Sequence, residues 1–288
     1  MHRLLVAVQL SAILMLAELA AAQTGSRTCI LCASSSLKNR WYLTGLAPVS
    51  DSIFNSNCDE PQSQTMDACA GPCMTLMFED PDLGQVNNGL TSVLVVRGCH
   101  TTLTNALSDR SASSDGNGAT NNFCEMDERY RMADLRGNIV TVKMLVAFCS
   151  NSDRCNTRPV SNAFSAATCN QQSQNRLLNN APLNCYDCRP SEGNNCHESS
   201  CNKKYCMKQL VQLDGGYQVM KTCSDVNIFG QDNHCQTYDV LTNPGGVPVK
   251  SQLTQCYCKN KQFCNSGTIF TTISSVLVVI AYALLNTH

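Results

Sequence analysis

Aromatic residues are scarce in this 288-residue chain, at 6% with a single Trp, and charged residues reach only 15%. The 21 basic and 22 acidic residues nearly cancel. No net field is available to draw nucleic acid or an anionic bilayer, so neither is an expected partner. Apolar residues are short as well. With two oily ends set aside, about 74 of the remaining 243 residues are apolar other than Cys, which is lean for one large core and suits small domains held by covalent links. Catalytic patterns are missing too. Of five His, His2 and His288 lie at the ends, and His100, His197 and His234 have no accompanying Ser, Cys or Asp pattern such as G-x-S-x-G. The acid pairs Asp80/Asp82 and Asp127/Glu128 read as solvated turns. The chain is expected not to be an enzyme and to need no metal or cofactor. Despite 27 Asn there is no Asn-x-Ser/Thr triplet, so N-glycosylation is not expected. No segment keeps a helical period.

Cysteine is what the chain has in quantity. All 20 Cys fall between residues 23 and 265, about 8% of that stretch, the level of a secreted disulfide scaffold. The ends set the compartment. Met1-His2-Arg3, an apolar run over residues 4–16 and Ala20-Ala21-Ala22 form the three regions of a secretory signal, with cleavage before Gln23. That run is shorter than the ~20 residues a membrane span needs. At the other end Asn265-Ser266-Gly267 are small, a spacer covers 268–275, and an apolar run over 276–285 has no Lys or Arg behind it. This is the signal for a glycosylphosphatidylinositol (GPI) anchor, with a short membrane span as the alternative. Asn265 is the favoured attachment residue and Ser266 the second. The protein is expected on the cell surface, in the outer leaflet of the plasma membrane. In an oxidising compartment the close pairs Cys29/Cys32 and Cys185/Cys188 form disulfides rather than zinc or redox sites. No nearby His or second close pair completes a tetrahedral set.

An internal repeat organises the chain. Cys29-Ile30-Leu31-Cys32 lies on Cys185-Tyr186-Asp187-Cys188, and Cys73-Met74 on Cys206-Met207. The run ending at Cys99 lies on the run ending at Cys223, and Cys149…Cys155-Asn156 on Cys258…Cys264-Asn265. Two domains follow, residues 23–156 and 183–265, joined by an Asn-, Gln- and Ser-rich linker over 157–182. Residues 1–22 are the signal peptide and 266–288 the attachment propeptide. Between the landmarks the pattern is β. Residues 207–213 and 217–222 flank Asp214-Gly215-Gly216, a hairpin whose glycines can take positive φ. A second hairpin pairs 236–241 with 249–255, and in the first copy 74–79 pairs with 92–97. A β-like run over 139–148 ends at Cys149. The Ser- and Gly-rich stretch 111–122 reads as a disordered insertion.

The second copy has ten Cys, opens with Leu183-Asn184-Cys185-Tyr186-Asp187-Cys188 and closes with Cys256-Tyr257-Cys258 and Cys264-Asn265. It resembles the lymphocyte-antigen-six and urokinase-receptor superfamily. Tyr257 departs from the family, which often has its eighth and ninth Cys adjacent. The resemblance implies a small, disulfide-rich, all-β fold of two tandem three-finger (snake-toxin-like) domains. It implies the pairs Cys185–Cys206, Cys188–Cys196, Cys201–Cys223, Cys235–Cys256 and Cys258–Cys264. In the first copy it implies Cys29–Cys73, Cys32–Cys58, Cys69–Cys99 and Cys149–Cys155. Ala147 stands where the second copy has Cys256, so Cys124 lacks its in-register partner. Cys124–Cys169 completes that set, and the closing motif Asp153-Arg154-Cys155-Asn156 favours it. Cys124–Cys149 with Cys155–Cys169 is the competing arrangement.

Hairpins fixed by disulfides present rigid loops, where recognition residues gather. Trp41, Tyr42, Phe78 and Tyr217 are the candidate partner-binding residues, since aromatic side chains dominate binding hot spots. Trp41 has an equal claim to a small core. The resemblance implies partners among ion channels and receptors, extracellular proteases and matrix, complement components or growth-factor receptors. The expected function is a surface protein that engages an extracellular or membrane protein through its loop tips and modulates a membrane receptor or ion channel. The alternative is an adhesion receptor, or one that captures an extracellular ligand or protease.

Overall fold

Alternating burial is what a half-covered strand produces, and it recurs in both copies. The computed structural model describes residues 27–59, 65–83, 92–105, 123–134, 136, 138–160, 164, 169, 182–189, 199–213, 216–242 and 249–266. The leader, the insertion 111–122, the tip 243–248 and the tail beyond residue 266 lie outside the described residues. The first copy contains β1 (Arg27–Ile30), β2 (Cys32–Ser34), β3 (Phe54–Asn55), β4 (Met66–Cys69), β5 (Cys73–Glu79), β6 (Val93–Cys99), β7 (Phe123–Ala133) and β8 (Ile139–Cys149). Strands β1 and β4 pair as a ribbon, and the others form a sheet of order β3-β2-β6-β5-β8-β7. The second copy contains β9 (Leu183–Tyr186), β10 (Ser200–Lys203), β11 (Tyr205–Leu213), β12 (Gly216–Ser224), β13 (His234–Thr242) and β14 (Val249–Cys258). Here β9 and β10 form the ribbon, and the sheet order is β12-β11-β14-β13.

The registers superpose the copies. Cys73 faces Cys99 and Cys149 across β5, as Cys206 faces Cys223 and Cys258 across β11. Cys235 faces Cys256, whereas Cys124 faces Ala147. Strand β7 has no apolar run of its own. Its sequence is FCEMDERYRMA, with a register shift between Asp127 and Tyr130; Glu128 is exposed, but Glu125 and Asp127 are buried against the other domain.

That burial reflects the main feature of the fold: the inner faces of the two sheets pack on each other and share one core. Met74, Leu76, Phe78, Phe148 and Tyr130 from the first domain lie in one cluster with Tyr205, Met207, Phe229, Tyr238 and Tyr257 from the second. A thin supply of apolar residues thus fills one joint core instead of two small ones. The polar atoms within it find partners, as buried groups must. Tyr130 Oη donates to Met207 Sδ at 3.2 Å and lies 3.3 Å from Tyr257 Oη, while Tyr238 Oη donates to the Thr104 carbonyl at 2.8 Å. Burial pushes the Tyr130 phenol up to about 12.

Carboxylates of β7 bind the seam. Glu125 accepts from Tyr205 Oη at 2.8 Å and from the Asn227 amide at 3.1 Å. Asp127 accepts from Lys203 Nζ, from the Arg129 amide at 2.8 Å and from the Asp225 amide at 2.9 Å. Arg131 pairs with Asp187. Asp127 is 1% exposed, so the expectation of a solvated turn is corrected: the chain needs a buried acceptor for second-domain donors. Asp80 is corrected likewise. It is buried and holds the Arg40 guanidinium bidentately at 2.7 and 2.8 Å, with Asp82 as a further partner. The hydrogen bond to Asp80, opposed by burial, is the largest of the effects that raise the Arg40 pKa.

Two more contacts cross the seam. The short helix His100–Thr104 buries His100, whose Nε2 lies 2.7 Å from the Phe229 carbonyl and must therefore carry the proton. Its Nδ1 meets no partner among the described residues, and its ring stands edge-on to Phe148 at 5.0 Å. Burial lowers its pKa to about 4. Gly45 closes the turn Trp41–Thr44 at φ 64°. A Cβ there would run into the Gln255 side chain, so this approach of the domains requires glycine.

Candidate functional site

Disulfides clamp one end of each sheet. The described bonds are Cys29–Cys73, Cys32–Cys58, Cys69–Cys99, Cys124–Cys169, Cys149–Cys155, Cys185–Cys206, Cys201–Cys223, Cys235–Cys256 and Cys258–Cys264. Of the two arrangements open for Cys124, the structure contains the one with Cys169. Cys188 is also disulfide-bonded, while Cys196 lies outside the described residues.

The asparagine after each closing Cys completes the clamp. Asn156 Oδ1 accepts from the Ile30 amide at 3.0 Å, and its Nδ2 donates to the carbonyls of Ile30 and Met74 at 2.9 and 3.2 Å. Asn265 repeats this: Oδ1 accepts from the Tyr186 amide at 3.1 Å, and Nδ2 donates to the carbonyls of Tyr186, Met207 and Thr222 at 2.9, 3.1 and 3.5 Å. Just before each closing Cys, Arg154 and Phe263 take φ of 54° and 55°. Their amides donate to the Thr28 and Asn184 carbonyls, both at 2.7 Å. The side chain of Asn265 is thus part of the fold, whereas Ser266 is exposed.

The structure separates the four candidate binding residues. Phe78 is fully buried in the joint core, which corrects its place at a tip: it lies on the inner face of β5, toward the second domain. Trp41 and Tyr42 are half-buried against the same core. Trp41 Nε1 donates to the Ala47 carbonyl at 2.8 Å and its ring meets Phe54 edge-on at 5.5 Å, so the core claim on Trp41 prevails. Tyr217 is 46% exposed. The segment after Asn156 also departs from a free linker. Arg97 Nη2 donates to the Arg158 carbonyl, Val160 and Phe164 pack on Ile30, Met77 and Val95, and Cys169 is buried at Cys124. The described residues 157–160, 164 and 169 therefore lie against the first sheet.

The outer face of the second sheet, turned away from the first domain, is the surface that stands out. Strand registers set its rows from the clamp outward: Lys221 beside Lys208 beside Cys256, then Val219, Leu210, Thr254 and Thr237, then Tyr217, Gln212, Gln252 and Asp239, then Lys250 beside Leu241. Leu241 is 60% exposed. Burial lowers the pKa of Lys208 and Lys221, and the Lys221 charge lowers Lys208 further. Lys221 Nζ lies 5.5 Å over the Tyr186 ring. Sequence reasoning found Tyr217 here but not its neighbours, because Leu210, Leu241 and the lysines gain meaning only from the register. Elsewhere, a cleft of about 510 Å³ beside the first closing loop has Arg154 and Arg158 as the charged residues among its described lining.

A clamp of disulfides with hairpins projecting from it, present twice, defines a three-finger protein. A family model described as Caenorhabditis elegans ly-6-related protein matches residues 32–157; no curated protein matches the chain. The first domain is thus similar to the Ly-6-related, three-finger-like family over residues 32–157. The match falls on the copy with the longer loops, and the second copy repeats its sheet, its Cys positions and its closing Asn. Members of the family are typically extracellular or cell-surface proteins, and their domains generally bind rather than catalyse. Among the described residues no helix is long and apolar enough to cross a membrane.

Proposed function

We propose that this chain is a GPI-anchored cell-surface protein that binds another protein and thereby modulates a receptor or ion channel in the same membrane. The observation that carries the reading is the place of Asn265. Among the described residues it is the last whose side chain is locked into the second domain, and the small residues and apolar run of an attachment signal follow it in the sequence. Attachment at Asn265 or Ser266 leaves almost no stalk. The second domain then sits against the headgroups, and its outer face is within reach of proteins embedded in the same leaflet.

Phosphatidylinositol-specific phospholipase C tests the anchor on cells displaying the full chain with a tag after Gln23. The expected result is release of the tag into the medium. Ser266 and Gly267 changed together to bulky residues, with Asn265 kept because the fold needs it, should abolish surface display. A chain that resists the enzyme, and that stays on the surface with the bulky residues, spans the membrane, and the anchor is then ruled out.

A further inference from the structure

The copies differ at one disulfide. Cys235 and Cys256 face each other across β13 and β14 and are bonded. At the same place in the first sheet Cys124 faces Ala147, and its sulfur goes to Cys169 instead. Strands β7 and β8 nevertheless pair from Phe123 opposite Phe148 to Ala133 opposite Ile139, with no disulfide between them. A sheet of this build holds its last hairpin by its ladder. In the second sheet the ladder runs unbroken from His234 opposite Tyr257 to Thr242 opposite Val249. The Cys235–Cys256 bond therefore joins two strands that hydrogen bonds already join.

Exposure is the second difference. Among the described cysteines Cys235 alone is exposed, and Cys256 is half-buried. The bonds of Cys29, Cys32, Cys69, Cys124 and Cys185 are buried at both ends, and Cys201–Cys223 is buried at one. Cys149–Cys155 and Cys258–Cys264 are half-buried, but each spans a sequence separation of 6. Their loops are pinned to the opening strands through Arg154 and Asn156 and through Phe263 and Asn265, so thiols opened there stay close and reclose. Thiol–disulfide exchange needs access for the attacking thiolate, and Cys235 offers it.

We propose that Cys235–Cys256 is a thiol-exchange site, opened by an external dithiol while the fold persists. A thiolate of the dithiol bonds to Cys235 Sγ, the protein S–S bond breaks, and Cys256 leaves as a thiolate that takes up a proton. The second thiol of the dithiol loses its proton and displaces Cys235 Sγ, which is protonated in turn. The dithiol is thereby oxidised to a disulfide and two protein thiols result. Opening frees one end of the segment 224–234, whose other end is held by the Cys201–Cys223 bond. That segment carries Val226, Ile228 and Phe229 into the joint core, and the Phe229 carbonyl meets His100 across the seam. The site thus couples the redox state of the surroundings to the tightness of the contact between domains.

In the test, purified full chain in detergent is treated briefly with graded dithiothreitol, blocked with N-ethylmaleimide and mapped by peptide mass spectrometry. Cys235 and Cys256 are expected to take label at a dithiothreitol concentration at least about tenfold below that which labels any other Cys. Amide hydrogen exchange over residues 224–241 should quicken in the opened form, while β5, β6 and β11 keep their protection. Cys235→Ala with Cys256→Ala gives the second sheet the Ala that the first carries at 147. This variant should fold and melt about 6–12 °C below the wild type, the loss for one closed loop of this size. Label that appears first at another pair, or at all cysteines together, overturns the inference. So does a double variant that fails to fold, because the sheet would then depend on the bond. Unchanged exchange over residues 224–241 overturns the coupling to the seam.

Discussion

Asn265→Ala is expected to destabilise the second domain by at least about 3 kcal/mol, since each buried backbone group left without its partner costs about 1–3 kcal/mol. One amide side chain serves the Tyr186 amide and three carbonyls on β9, β11 and β12. The Asn265 side chain is 4% exposed, and its bonds to the Met207 and Thr222 carbonyls are buried, so water has little access there. Asn265→Asp is the sharper variant. It keeps the shape but removes both amide hydrogens and sets a carboxylate against carbonyl oxygens, and it should cost as much as Ala or more. Thermal melts of the two variants and secretion yield are the readouts, with most of the protein retained inside the cell. Loss from Ala alone, with Asp near wild type, would mean that packing rather than hydrogen bonding matters here.

Asp127→Ala should loosen the two domains. It removes the acceptor of Lys203 Nζ and of the Asp225 amide in the second domain and of the Arg129 amide beside it. Breaking a buried, hydrogen-bonded charge pair costs about 3–5 kcal/mol. Lys203 keeps some access to water, so about 3 kcal/mol is expected, a drop of about 6–12 °C in melting temperature for a chain of this size. Lys203→Ala added to Asp127→Ala should cost much less than Lys203→Ala alone, because the charge it paired with is already gone. Equal cost in both backgrounds would mean that the pair does not join the domains.

Much of this fold is legible in the Cys and their flanking runs. Cys73, Cys99 and Cys149 fall in one row of the sheet, as do Cys206, Cys223 and Cys258, so a repeat read by eye lands on real registers. Ala147 standing at the place of Cys256 is visible too, and with it the odd partner of Cys124. The joining of the domains is not legible. Its residues on β7, Glu125, Asp127 and Arg131, carry charge, and a charged run reads as solvent-facing when its partners lie about 60 to 100 residues downstream. Phe78 and Trp41 mislead for the opposite reason. Aromatic residues near a turn suit a binding tip as well as a core, and only the opposing sheet decides between them. The outer face needed the register, since Lys208 and Lys221 are 13 residues apart in sequence and neighbours only across β11 and β12.

Calorimetry of the intact chain between pH 7.4 and 5 bears most directly on the shared core. Because both sheets close over one cluster, a single transition is expected at neutral pH. His100 then sets the pH dependence. Its pKa is about 4 in the fold against 6.5 for the ordinary side chain, so the unfolded chain binds the proton more readily. The stability that neutral His100 contributes is full above pH 6.5 and is lost as pH falls toward 4, about 3 kcal/mol in all. His100→Phe should flatten the decline between pH 6.5 and 5, above the range where most carboxylates titrate. One transition that moves down with acid, and moves less in His100→Phe, is the predicted result. Two separate transitions at neutral pH, each insensitive to His100, would show two independent domains and contradict the joint core.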